Sequence, residues 1–170
     1  MKKEDTTSPT VSTESILLTS TIDAEEGRDV AVTDIPGAYL HADMEGDVIV
    51  RFTGAMVDTL LEIDKKKYGP SALLDKKALY GCRNSGLFFF RNISDFLKRS
   101  GFSINPYDPC VANKVINGSQ CTIVWWVDDV KISYRNPMVV TEVVKSLEKK
   151  YDQLRTKSGL KHDYLGMTLA

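Results

Sequence analysis

Val124–Ser133 reads VWWVDDVKIS, a strand-like apolar run interrupted by two adjacent carboxylates, Asp128 and Asp129. Aspartate is depleted in strands, and neighbouring like charges repel unless something compensates them. Two explanations stand open on these residues alone. One is turn chemistry, because Asp favours turns. The other is a metal site, in which a bound cation relieves the repulsion.

The flanks show what holds the pair. Upstream, VANKVINGSQCTIVWWV contains two β-rich runs separated by Asn117-Gly118, the strongest short hairpin signal in the chain. The second run reaches Val127, meets the two aspartates and resumes as VKISY, so Asp128 and Asp129 fall at or beside a second tight turn. Asn136-Pro137 then opens an amphipathic helix carrying Val139, Val140, Val143, Val144, Leu147 and Tyr151. The last stretch, YLGMTLA, reads as one final strand.

Earlier in the chain, residues 1–10 are polar and read as disordered or as a truncated linker. Ser12 caps a helix bearing Ile16, Leu17 and Ile22, which Gly27 stops. DVAVTD alternates as a short strand ending at Asp34, and a Pro36-Gly37 turn follows. DVIVRF (47–52) is a second strand, and residues 54–64 have helical spacing. A lysine-rich connection over 64–79 leads to a strong helix capped at Asn84 or Ser85. Its buried face is Phe89, Ile93, Phe96 and Leu97, and Gly101 marks its end. Phe88-Phe89-Phe90 reads as core rather than as a base-stacking platform. The order is helix, strand, strand, helix, helix, hairpin, hairpin, helix, strand. That predicts an α+β domain with an antiparallel sheet and helices packed on one face.

The composition narrows the chemistry. The 170 residues carry 22 Lys+Arg against 23 Asp+Glu, a net charge of −1, so no global basic footprint for nucleic acid exists. Cys82, Cys110 and Cys121 are odd in number and lack CxxC spacing; with only His41 and His162 beside them they write no zinc signature. Reduced thiols of an intracellular protein are the expectation. No signal peptide or membrane-spanning run is legible, and no Ser/His/Asp or Cys/His arrangement suggests a nucleophilic side chain. Turn chemistry and metal-binding carboxylates both stay open for Asp128-Asp129. Phosphoryl transfer with two metals needs carboxylates gathered from different elements around ions about 3.5–4 Å apart. Asp34 at one strand end and Asp128-Asp129 at a hairpin meet that need if their strands are neighbours.

Five blocks in order carry a family resemblance: DIPGAYLHA (Asp34–Ala42), KALYG (Lys77–Gly81) with its aromatic helix, YDPC (Tyr107–Cys110), WVDD (Trp126–Asp129) and YLGM (Tyr164–Met167). Together they resemble the reverse transcriptase domain of copia-type LTR retrotransposons, part of a Pol polyprotein, over residues from about Ser8 onward. The resemblance implies a polymerase palm-type sheet over 11–170 with the fingers largely missing. It implies that Asp34, Asp128 and Asp129 are catalytic and hold two Mg²⁺ ions, with Mn²⁺ as a substitute. It further implies dNTP contacts from Tyr39, as the aromatic steric gate, and from Asn84. Primer contacts would come from Trp126, Leu165 and Gly166. Lys161 occupies a place from which it could protonate pyrophosphate, against a plain solvated lysine. Implied partners are primed RNA or DNA template, dNTPs and the other Pol segments (fingers, RNase H, integrase), in a cytoplasmic particle or the nucleus.

The chain departs from the pattern in two blocks: CRNSG follows KALYG where the family has L-K-Q-S-P, and Trp126 replaces the tyrosine of Y-V-D-D. The alternatives are a non-catalytic palm remnant that binds nucleic acid or a protein partner, and an unrelated metal-dependent phosphotransferase with Asp34 far from Asp128.

Overall fold

The computed structural model describes residues 7–50, 58–59, 62, 73–78, 81–82, 84–159 and 161–169; within 45–50 and 73–77 it describes the backbone alone. Most of the helix expected over 54–64 and most of the connection over 64–79 lie outside the described residues, although Asp58, Thr59 and Glu62 are helical.

The chain is α+β. The order is α1 (Thr13–Glu25), β1 (Asp29–Asp34), a 3-10 turn (Ala38–His41), β2 (Asp43–Val50), β3 (Leu73–Lys77), α2 (Ser85–Arg99), β4 (Ser103–Ile104), β5 (Val111–Ile116), β6 (Ser119–Trp126), β7 (Asp129–Tyr134), α3 (Pro137–Tyr151), β8 (Arg155–Ser158), β9 (His162–Tyr164) and β10 (Met167–Leu169). Six strands form one sheet in the order β4-β5-β6-β7-β1-β8, and every pairing in it is antiparallel. Two separate ribbons, β2-β3 and β9-β10, flank it.

Local chemistry explains the boundaries. The Ser12 hydroxyl accepts from the Ser15 N–H at 3.2 Å and starts α1. Asn136 does the same for α3, accepting from Met138 N–H at 2.9 Å with Pro137 in the first turn. Asn84 precedes α2 without making a side-chain cap, so that helix depends on its packing. Between β5 and β6, Asn117 (φ 48°) and Gly118 (φ 79°) both adopt the left-handed conformation of a type I′ hairpin.

One face of the sheet carries α2 and α3. Phe90 of α2 stacks on Trp125 of β6, with ring centroids 6.3 Å apart. Tyr151 of α3 meets Phe89 and Phe96 of α2, and its hydroxyl donates to Asn92 at 2.9 Å. Phe89, Ile93, Leu97, Val140, Val144 and Leu147 are buried there, each large apolar side chain contributing about 2 kcal/mol. Phe96 is only half-buried, whereas Phe88 is buried.

Contrary to the one-sided arrangement expected, α1 covers the other face. Successive strand residues point to opposite faces, so Thr122 and Lys131 point away from Trp125 and Val130. Those two residues receive Arg28, just beyond α1, and Asp23 within it. The helical period of α1 could not reveal this, because apolar stripes on either side of a sheet look alike.

Two further differences concern strands. YLGMTLA is no single strand: Leu165 (φ 51°) and Gly166 (φ 76°) turn the chain between β9 and β10. The strands β3, β4 and β8 carry no apolar alternation that would have announced them; β8, RTKS, is exposed throughout. Ser8 is half-buried beside α2, where a Cβ on Gly86 would come within 3.1 Å of it.

Candidate active site

Asp34 is the last residue of β1 and Asp129 the first of β7, and the two are directly paired across the ladder. The hairpin turn proper is Val127-Asp128, so only the first aspartate of the pair is a turn residue. The Ile35 N–H donates to the Asp128 carbonyl oxygen at 3.0 Å, locking the end of β1 to that turn. Three carboxylates are thereby carried to one end of the neighbouring strands β1 and β7.

Val127 has φ 52°, a conformation that a β-branched residue adopts only at a cost of about 1–3 kcal/mol. Two-residue hairpins usually give such a position to Gly or Asn. The strain is offset by the pairing on both sides of the turn, where Trp126 stands opposite Asp129.

The electrostatics follow from this crowding. Partial burial, then the charges of Asp128 and Asp34, raise the pKa of Asp129 above the ordinary carboxylate range. On its other side Asp34 is paired with Arg155 of β8, whose Nη1 lies 3.8 Å from Asp34 Oδ2. As donors the three carboxylates suit a hard divalent cation, and their mutual repulsion is what such an ion would relieve. Among the described residues, however, no three Asp, Glu, His or Cys side chains converge at metal-holding distance.

The other candidates distribute as follows. Tyr39 lies in the 3-10 turn after Pro36-Gly37, half-buried, edge-on to Phe89 at 6.5 Å. Its hydroxyl is 3.8 Å from where a Cβ on Gly86 would stand, beside the first turn of α2. Asn84 precedes that same turn, and its Oδ1 is buried without a hydrogen-bond partner among the described residues. Trp126 is 39% exposed at the end of β6. Leu165 and Gly166 form the tip of the β9-β10 hairpin, whose Tyr164 is buried with its hydroxyl 3.3 Å from the Val124 carbonyl and 3.4 Å from that of Asp129. The hairpin is thus fastened to the carboxylate-bearing strands. Lys161 is exposed.

The three cysteines are free, and burial pushes the Cys110 thiol up to about 12 and that of Cys121 to about 11. Neither is a nucleophile near neutral pH.

Sequence reasoning missed several supports. Asp108 of YDPC is buried and accepts from the Ser12 N–H (2.9 Å), the Ser12 hydroxyl (3.0 Å) and the Cys110 N–H (3.0 Å), tying the start of α1 to the loop before β5. Lys131, two residues beyond Asp129, is 1% exposed and reaches Asp23 of α1 at 2.5 Å. Burial pulls its ammonium pKa below the ordinary value, against the opposing pull of Asp23. The visible signal was a lysine inside an otherwise apolar VKIS strand. Arg155 gave none, being one of several charges in a polar stretch.

A family model for reverse transcriptase (RNA-dependent DNA polymerase) matches residues 1–170. The chain belongs to the reverse transcriptase family. It is 27% identical over 144 residues to the truncated transposon Ty1-A Gag-Pol polyprotein of Saccharomyces cerevisiae, a match covering 80% of this chain and 11% of that protein. The Ty1-DR5 Gag-Pol polyprotein of the same yeast is equally similar, with 7% of its length covered. The chain therefore spans a small part of the curated relatives it matches. They agree with the copia-type resemblance carried by the five sequence blocks. Among the described residues no helix is long and apolar enough to cross a membrane.

Proposed function

We propose that residues 11–170 are the palm, with part of the fingers, of a copia-type RNA-directed DNA polymerase, adding dNTPs to a primer 3′-hydroxyl. The observation that carries this reading is the direct pairing of Asp34 with Asp129, with Asp128 fastened to the residue after Asp34. That pairing also disfavours an unrelated phosphotransferase with Asp34 remote from Asp128.

In this mechanism Asp34, Asp128 and Asp129 are the residues that would hold two Mg²⁺ or Mn²⁺ ions. When bound, these ions supply Lewis-acid activation of the primer hydroxyl and charge neutralisation at the leaving pyrophosphate. Two of the carboxylates are fixed on the ends of paired strands and the third on the adjoining turn, which is what a reaction governed by positioning requires. Tyr39 lies under the nucleotide sugar and selects against a 2′-hydroxyl, with Asn84 beside it. Trp126 packs against the primer terminus, and the Leu165-Gly166 turn holds the primer strand. Template, primer, dNTPs and the remaining Pol segments are the partners, inside a cytoplasmic particle or the nucleus.

Primer extension on poly(rA)/oligo(dT) with Mg²⁺ or Mn²⁺ tests this, using the chain alone and the chain joined to a preceding fingers segment. The expected result is divalent-dependent extension abolished by Asp128→Asn. Extension in neither form would contradict catalysis and favour a non-catalytic palm remnant.

A further inference from the structure

Four residues from four adjacent strands form one row across the sheet: Trp126 of β6 opposite Asp129 of β7, Asp129 opposite Asp34 of β1, and Asp34 opposite Arg155 of β8. Directly opposed residues of an antiparallel ladder share a face, so the row presents an aromatic ring, two carboxylates and a guanidinium in line. The backbone of β8 is held by its pairing with β1 and by the Thr156 hydroxyl donating to Thr33 at 2.9 Å on the opposite face. The Arg155 side chain is only loosely held: it is 80% exposed, and its Nη1 lies 3.8 Å from Asp34 Oδ2. An exposed pair of that kind is weak and screened.

We propose that Arg155 is an exchange contact, pairing with Asp34 while the carboxylates are free of metal and with a substrate phosphate once they hold it. This deepens the reading given under Proposed function and rests on it. A divalent cation on Asp34 competes for the same charge and releases the guanidinium. A phosphate drawn to that cation then lies beside a fork-shaped donor suited to phosphate oxygens. The ligand is a phosphate anion, from a nucleoside triphosphate or from the backbone of the primer–template duplex. Because the strand is fixed and only the side chain swings, the exchange needs no rearrangement of the fold.

The test uses the full chain with Arg155→Ala and Arg155→Lys. Calorimetric titration with Mn²⁺ alone should show Arg155→Ala binding the ion more tightly than the parent, by up to about fivefold, because Asp34 loses its competing partner. Fluorescence titrations with Mg²⁺ and either dTTP or a dideoxy-terminated primer–template should show the opposite sign. There the affinity for the phosphate ligand falls about tenfold in Arg155→Ala and recovers in part in Arg155→Lys. A fall confined to dTTP identifies the triphosphate. A fall confined to the duplex, with the salt slope reduced by about 1, identifies the backbone.

A general loss of folding would weaken both metal and phosphate binding, and that outcome overturns the proposal, as does an unchanged affinity in Arg155→Ala. If the parent chain binds neither ligand in a divalent-dependent way, the polymerase reading falls with it. Parent binding that Arg155→Ala leaves intact overturns the exchange alone.

Discussion

Two aspartates, Asp108 and Asp129, respond to protons in opposite senses. Asp129 has its carboxyl pKa raised by burial and by its neighbours Asp128 and Asp34. A raised carboxyl favours the fold below the ordinary carboxylate range, and that contribution is lost as pH rises through the raised value. Metal-free Asp129→Asn should therefore melt at a higher temperature than the parent at pH 7, the difference vanishing toward pH 4; thermal melts across that range in EDTA check it. At Asp108, burial alone would raise the pKa, but hydrogen bonds from Ser12, Ser15 and Cys110 outweigh it and hold the carboxyl below its ordinary value. Its contribution is present above the unfolded pKa and lost as pH falls through the folded one. Asp108→Ala should cost about 2 kcal/mol at pH 7 by urea denaturation, with the gap to the parent closing in acid. Asp108 was legible only as part of YDPC, since a buried carboxylate and a turn residue look the same in sequence. Asp34, Asp128 and Asp129 stood out because carboxylates inside apolar runs carry an energetic penalty that needs a reason.

The join between α1 and β7 rests on a buried charge pair, Lys131 with Asp23, and Arg28 Nη1 stands 3.7 Å from the same carboxylate. Removing one partner strands the other charge out of water, whereas replacing both with apolar groups removes the penalty along with the attraction. Asp23→Ala should cost about 3–5 kcal/mol in urea denaturation, and the double variant Asp23→Leu/Lys131→Met should recover most of it. A double variant no more stable than Asp23→Ala alone would contradict this account of the join. At this scale the sequence was read well where elements carry their own signals: the Ser12 and Asn136 caps, the Asn117-Gly118 hairpin, the alternation of β1. It was read poorly where neighbours decide the structure. RTKS becomes a strand because β1 offers it an edge, and YLGM folds back on itself because Leu165 and Gly166 accept left-handed backbone.

Across the whole molecule, the six-stranded sheet brings residues 34, 129 and 155 into one line although 121 positions separate the first from the last, 155 − 34. Strand order is a long-range property, and no local pattern announced that β1 would sit between β7 and β8. The resemblance of five ordered blocks did announce that Asp34 and Asp128-Asp129 belong together, and the sheet supplies the physical reason, adjacent strands ending at the same level. Helices on both faces then leave that end of the sheet, with the β9-β10 hairpin beside it, as the place we propose for a phosphate ester to meet the carboxylates. The central claim is that these three side chains act as one divalent-cation site. Electron paramagnetic resonance of Mn²⁺ titrated into the chain tests it most directly. The account predicts saturable binding that is lost or weakened at least about tenfold in each of Asp34→Asn, Asp128→Asn and Asp129→Asn; binding that is unchanged in all three would contradict it.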